Sequence, residues 1–520
     1  MKHTHTLTFL RRASAIALFA ALVAVPVTIA YQNQAAPAKA EFPATPEGKL
    51  ARGLFEAINS GDKAAIKSFI DTNLWSRVLK EDGAEAIAAQ AYRLYSQSGG
   101  FELMQMLPAR SPGEVRFSTR TRRGNYFVNI ITRLEKDEPT KLDGFGFRRM
   151  PDPEAEKADA WATTKMSEAD AISEIERHVA RAAADDRFSG VVLVAKGDRV
   201  MFNKAYGLAD KANNIPNKLD TKFNLGSMNK MFTSVAIAQL VQAGKLSYDS
   251  TLAKVLPEYP NKETAAKITV HQLLTHTSGL GDFFKPEFFQ NREKYRNPKD
   301  YFPVFANDPL KFEPGKSWSY SNAGFIVLGA IVENASGQNY FDYVRDHIFT
   351  PAGMKDTASY AVKDIVPNLG IGYTRFDNGD PLGIEPRVNN VMTMPMKGSP
   401  AGGGYSTAPD LLRFAQALRA HKLVNADLTE KVTGGKVDTP MGAKYAYGFI
   451  DEMVDGKSVR GHSGGAPGIN SYLNIFWDGS YTVIVQGNYD PPAAQDLGGK
   501  ITRFLAKQSA TDANAKAATK

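Results

Sequence analysis

Phe223-Asn224-Leu225-Gly226-Ser227-Met228-Asn229-Lys230 runs straight into the apolar stretch Met231–Gln242, which Gly244 ends. The apolar stretch reads as a buried helix. Ser227 falls in its first turn and Lys230 three residues on, so hydroxyl and amine share one helix face within mutual reach. A free lysine has a pKa of ~10.4 and is protonated at neutral pH, so it takes a proton from an alcohol only in a desolvated pocket. The same residues can also be read as a helix N-cap beside a solvated lysine. Ser-x-x-Lys occurs once more, at Ser60/Lys63, but in the loop-like Asn59-Ser60-Gly61-Asp62, with no long apolar helix to bury the amine.

Further along stands Trp318-Ser319-Tyr320-Ser321-Asn322, between the turn Pro314-Gly315 and the apolar run Ala323–Asn334. Tyr-x-Asn also occurs at Tyr31, Tyr259, Tyr295 and Tyr472, so position singles out Tyr320, not the pattern. Asn322 as a plain helix N-cap is the other account. A third group, Gly461-His462-Ser463-Gly464-Gly465, follows the strand-like Lys457–Arg460. It fits Gly-x-Ser-x-Gly, but that motif's nucleophile needs a later acid and then a histidine, and His462 is the last histidine. The glycines suit an edge strand instead, one that lets a substrate approach the backbone and offers N–H groups to an oxyanion. His271 and His276, five apart with no Glu arranged as in His-Glu-x-x-His, read as a packed helix end and turn. Gly402-Gly403-Gly404 lacks the Lys-Ser/Thr of a phosphate loop.

Outward from these groups, strand pairs lie at both ends of one long region. Gly190–Lys196 and Arg199–Gly207 turn at Gly197-Asp198, and Ser471–Trp477 and Tyr481–Gly487 turn at Asp478-Gly479. A closing helix, Leu497–Leu505, follows. Strands at the ends and helices between predict an antiparallel sheet flanked by helices, with an all-helical subdomain, over residues 171–508. Residues 41–150 form a smaller α+β unit, with helices over Ala64–Ile70 and Glu81–Tyr95 and strands over Phe101–Leu107, Glu114–Thr121, Asn125–Leu134 and Gly144–Arg149. The fold class is α/β, of the α+β kind. A linker is expected over 151–170 and a frayed tail over 509–520.

The 520 residues include no Cys, which removes disulfides, thiolate zinc sites, iron–sulfur clusters and catalytic thiols. A formal charge of +8 owes half its value to Lys2, Arg11, Arg12 and Lys39; no basic block interleaved with aromatics marks a nucleic-acid surface. The basic residues at 2, 11 and 12, the apolar run from Ala13 to Ala30 and the triplet Ala38-Lys39-Ala40 predict a signal peptide over 1–40, and hence a periplasmic or secreted protein. The run is also close to the length of an uncleaved anchor. Apart from it, no stretch approaches membrane length.

Taken in order, Ser227-Met228-Asn229-Lys230, Tyr320-Ser321-Asn322 and His462-Ser463-Gly464 resemble the serine β-lactamase and penicillin-binding-protein superfamily. Its branch of class C β-lactamases, esterases and D-amino-acid peptidases is the nearest match. Leu273-Leu274-Thr275-His276-Thr277-Ser278-Gly279-Leu280, Phe312-Glu313-Pro314-Gly315, Pro351-Ala352-Gly353-Met354 and Ala401-Gly402-Gly403 with Ser406-Thr407 add to the likeness. The resemblance implies a β-lactamase-like fold and acyl transfer with neither metal nor cofactor. Ser227 would be the nucleophile, with Lys230 and Tyr320 sharing proton transfer. Asn322, His462, Ser463, Gly464 and Gly465 would meet the substrate, and the N–H groups of Ser227 and Gly465 would form the oxyanion hole. The implied substrates are small esters, amides or peptidoglycan-like D-amino-acid peptides. A true β-lactamase, a DD-peptidase and a non-catalytic penicillin- or peptidoglycan-binding receptor are the alternatives. Where the β-lactamases carry Lys-Thr/Ser-Gly this chain has His462-Ser463-Gly464, and a mostly neutral histidine anchors a substrate carboxylate poorly. The first unit resembles an NTF2-like (SnoaL-like) fold, which implies pairing into a homodimer or a small pocket.

Overall fold

The computed structural model describes residues 40–79, 83–150, 152–375, 382–440 and 442–509. The expected leader, Ala40 aside, and the expected tail beyond Ser509 lie outside the described residues. Two compact units emerge, one running to Ala160 and including Arg375–Arg387, the other holding Trp161–Thr374 and the chain from Val388 onward.

In the first unit, α1 (Pro46–Ser60), α2 (Lys63–Asn73) and α3 (Ala84–Ser98) precede a four-stranded antiparallel meander, β1 (Phe101–Leu107), β2 (Glu114–Thr121), β3 (Phe127–Leu134) and β4 (Leu142–Met150). Thr45 caps α1 by accepting from the Gly48 N–H, and Gly61 ends it in the left-handed region. Alternate strand residues Val115, Phe117, Val128 and Ile130 turn to the helices and join Leu54, Ile58, Ile66 and Leu94 in one core.

The second unit is built on an eight-stranded antiparallel sheet. In chain order its strands are β5 (Gly190–Lys196), β6 (Arg199–Tyr206), β7 (Val437–Asp438), β8 (Lys444–Tyr445), β9 (Ile450–Val454), β10 (Lys457–Ala466), β11 (Ile469–Phe476) and β12 (Thr482–Gly487). The spatial order is β7-β8-β9-β10-β11-β12-β5-β6, so this sheet's first and last strands in chain order meet where β12 pairs with β5, Thr482 opposite Ala195. Strand β5 is buried on both faces, and its period of two sorts it between two cores. Val192 and Val194 pack with α4 (Glu168–Ala184) and the closing helix through Ile175, Val179, Ile501 and Phe504. Val191, Leu193 and Ala195 join the larger core with the helical middle of the chain. Within it runs α5 (Asn229–Gln242), buried on almost every side as a largely apolar helix must be.

Candidate active site

Ser227 sits in a 3-10 turn, Gly226–Met228, that feeds directly into α5. One helical turn on, Lys230 is fully buried. Its Nζ donates to Ser227 Oγ at 3.1 Å, to Asn322 Oδ1 at 2.8 Å and to the Ala401 carbonyl at 2.5 Å. Burial lowers the amine to about 7, against an opposing pull from the Asp282 carboxylate. Three acceptors satisfy three N–H donors of the ammonium. When the proton leaves, Asn322 Oδ1 and the Ala401 carbonyl can only go on accepting, so they keep the two remaining N–H groups. The lone pair is left facing Ser227, the one partner of the three with a hydrogen to give.

Tyr320 and Asn322 arrive from the loop before α6 (Asn322–Ser336) and its first residue. The N-cap is Ser321, whose Oγ accepts from the Gly324 N–H, so Asn322 is at the first helical position and its side chain, not spent on capping, offers Oδ1 to Lys230. The Tyr320 hydroxyl reaches Ser227, the face of its ring lies 4.8 Å from Lys230 Nζ, and burial pushes its pKa up, so it stands as a protonated phenol. Beneath it is His276, fully buried, with its ring 4.3 Å from that of Tyr320. The backbone N–H groups of Ser319 and Ser321 donate to the carbonyl and to Nδ1 of His276, so this residue moulds the Tyr320 loop. His271 is tied elsewhere, its Nδ1 2.8 Å from the Tyr447 hydroxyl.

The third group lies on β10, which runs on through the glycines to Ala466. Its neighbour β9 stops opposite Gly461, so residues 462–466 pair with β11 alone and turn their other edge to the serine turn. The approach is too close for side chains. A Cβ on Gly464 would stand 1.8 Å from the Leu225 carbonyl oxygen and 3.0 Å from the Ser227 nitrogen, and a Cβ on Gly226 2.8 Å from the Gly465 nitrogen. Gly226 also has a φ of 50°, which favours glycine. The backbones of Ser227 and Gly465 are thereby brought together. His462 is buried, donating from Nδ1 to the Ser463 carbonyl at 2.5 Å and accepting at Nε2 from the Tyr445 hydroxyl at 3.1 Å. Burial, with Lys230 nearby, lowers it to about 3, so it carries no charge at neutral pH. Ser463 faces the other side of the strand, where its Oγ accepts from Gln495 Nε2.

Two further participants are not among the expected site residues, although Ala401 lies in the Ala401-Gly402-Gly403 string. The Ala401 carbonyl is contributed by the loop Ser399–Gly404, which folds over the serine turn as Gly403 N–H donates to the Gly226 carbonyl. Asp282 follows the Thr-His-Thr-Ser-Gly-Leu string and accepts from Asn322 Nδ2 at 2.7 Å. Its place two residues past Leu280 is the only signal that would have found it.

A buried amine set against an alcohol, on an antiparallel sheet flanked by helices, defines a serine hydrolase of the β-lactamase and penicillin-binding-protein class. Residues 175–507 match the family described as Beta-lactamase, and the chain belongs to that family. It is 33% identical to a penicillin-binding protein of Bacillus halodurans, with a TM-score of 0.56 over 62% of this chain and 98% of that one. It is 25% identical to a D-amino acid amidase of Ochrobactrum anthropi SV3, with a TM-score of 0.55 over 65% and 98%. The esterase EstB of Burkholderia gladioli is 28% identical over 313 residues, 52% of this chain and 76% of that protein.

Proposed function

We propose that the chain is an exported acyl-transfer enzyme that cleaves small uncharged esters and amides, D-amino-acid derivatives among them. The observation that carries this reading is the desolvated Lys230 Nζ 3.1 Å from Ser227 Oγ. Neutral Lys230 takes the Ser227 proton as Oγ attacks the substrate carbonyl. The N–H groups of Ser227 and Gly465 hold the developing oxyanion, each such donor worth roughly 3 kcal/mol of barrier. Tyr320 gives its proton to the leaving group and recovers one from Lys230. Water then attacks the acyl-enzyme by the same route in reverse.

The neutral state of His462 favours uncharged substrates, because a substrate carboxylate would meet no cation there. The names of EstB and of the amidase fit esters and amides. The basic and apolar leader supports export to the periplasm or beyond, and the helices-then-meander order of the first unit supports an NTF2-like module that pairs two copies or positions substrate.

Intact-mass analysis with a fluorophosphonate probe tests the nucleophile. The wild type gains one adduct and Ser227→Ala gains none; equal masses and equal residual turnover reject the reading. Nitrocefin turnover measured beside p-nitrophenyl ester turnover tests the substrate class. Strong nitrocefin hydrolysis with negligible esterase activity would make the chain a β-lactamase, and adduct formation without turnover of any substrate would make it a receptor.

A further inference from the structure

Asp282 gathers three N–H donors on one carboxylate. Oδ2 accepts from Asn322 Nδ2 at 2.7 Å, while Oδ1 accepts from the backbone N–H groups of Phe283 at 2.7 Å and Phe284 at 3.3 Å. Only an acceptor on both oxygens satisfies this set. An amide at the same place would turn its oxygen to the two backbone donors and its NH2 to Asn322.

The orientation of Asn322 depends on this. An asparagine side chain can stand either way round, with the oxygen or the nitrogen toward a given neighbour. Held by Asp282 at its nitrogen, Asn322 presents Oδ1 to Lys230 Nζ. Turned over, it would present an N–H donor, which would compete with the Ser227 hydroxyl for the amine's lone pair.

We propose that Asp282 is a positioning residue: by fixing the Asn322 amide it keeps an acceptor against Lys230 and reserves the lone pair of the neutral amine for Ser227. The inference rests on Lys230 being the base, as argued above. Of the titratable groups facing Lys230, Tyr320 holds its proton, His276 and His462 are kept neutral by burial, and Asp282 supplies negative charge.

The test compares the full-length wild type with Asp282→Asn, Asn322→Asp and the double swap Asp282→Asn/Asn322→Asp, by kcat, KM and pH profile on a p-nitrophenyl ester. In Asp282→Asn the amide at 322 inverts, so kcat falls about ten- to a hundredfold, the scale of a mis-set buried hydrogen bond, while KM stays near that of the wild type. Loss of the negative charge also moves the acid limb to lower pH. Asn322→Asp sets two carboxylates face to face and loses activity as well. The swap restores the direction of the chain: the amide at 282 donates to one oxygen of the carboxylate at 322, whose other oxygen accepts from Lys230. It should recover about tenfold over either single variant, with its acid limb moved up because the carboxylate now touches the amine.

A kcat for Asp282→Asn within about twofold of the wild type overturns the proposal. So does a swap no more active than the single variants, whatever their melting temperatures, because a merely structural role would not be rescued by exchanging the two groups. If Ser227→Ala kept its turnover and probe adduct, the site itself would be misread, an outcome separate from the behaviour of Asp282.

Discussion

At Lys230 burial and charge oppose each other, and the balance sets the working pH. A lysine ordinarily titrates at ~10.4; at this position burial lowers the amine to about 7 and Asp282 alone pulls it back. The base is the unprotonated form, so the sign is fixed. Below about 7 the ammonium dominates and kcat/KM falls as pH falls; above it the curve reaches a plateau. A kcat/KM profile on a neutral ester, whose own charge does not change with pH, should therefore show an acid limb near 7. A limb near 4, or none down to pH 5, would mean that another group is the base. Ser227 and Lys230 were legible in the sequence because helical spacing puts i and i+3 on one face, and Tyr320 because it stands between a turn and an apolar helix. The partners that tune the lysine were not. Ala401 and His276 both stand in strings that carry the family likeness, but that a backbone carbonyl at 401 meets the amine and that the 276 ring lies under Tyr320 are facts of the fold with no residue pattern of their own.

Among the elements, β10 owes most to contacts outside its own sequence. Residues 457–460 read as a strand, and Gly461, Gly464 and Gly465 as an edge strand continuing it, although glycine has poor β-propensity. Pairing with β11 overrides it and carries the strand to Ala466. The glycines are required by contact across the gap: with Gly464 Cα so near the Leu225 carbonyl, a methyl group would force the edge strand and the serine turn apart. Gly464→Ala should consequently cost about a hundredfold or more in kcat, the scale of one lost oxyanion donor. Fluorophosphonate labelling should slow with it, since that adduct forms in the same hole. Near-wild-type labelling and turnover would show that the two backbones need not touch for catalysis. Helix α5 is the converse case, where a mostly apolar run predicted a buried helix and the structure buries it.

Across the whole chain, the sheet that joins β5 to β12 was visible as strand pairs at the two ends of one region, because hairpin turns and alternating apolar residues are local signals. The segment Arg375–Arg387 was not. It leaves the second unit after Tyr373–Thr374 and returns to it at Val388–Asn389, two short strands that pair with each other, yet it belongs to the first unit. Leu382 is 1% exposed in the first unit's core, and Glu385 accepts from Gln97 Nε2 at 2.8 Å. A core completed by a residue more than two hundred positions downstream has no local pattern to betray it. Leu382→Ala removes that filling, and the usual cost of emptying a buried leucine site is about 2–4 kcal/mol. Hydrogen exchange on the full-length protein places the loss: amides of β2 and β3, beside Phe117 and Val128, should exchange faster, while those of β5 and β12 keep their protection. Unchanged protection in β2 and β3 would mean that Leu382 is dispensable to the first unit, and faster exchange confined to β5 and β12 would assign its stabilising contacts to the second.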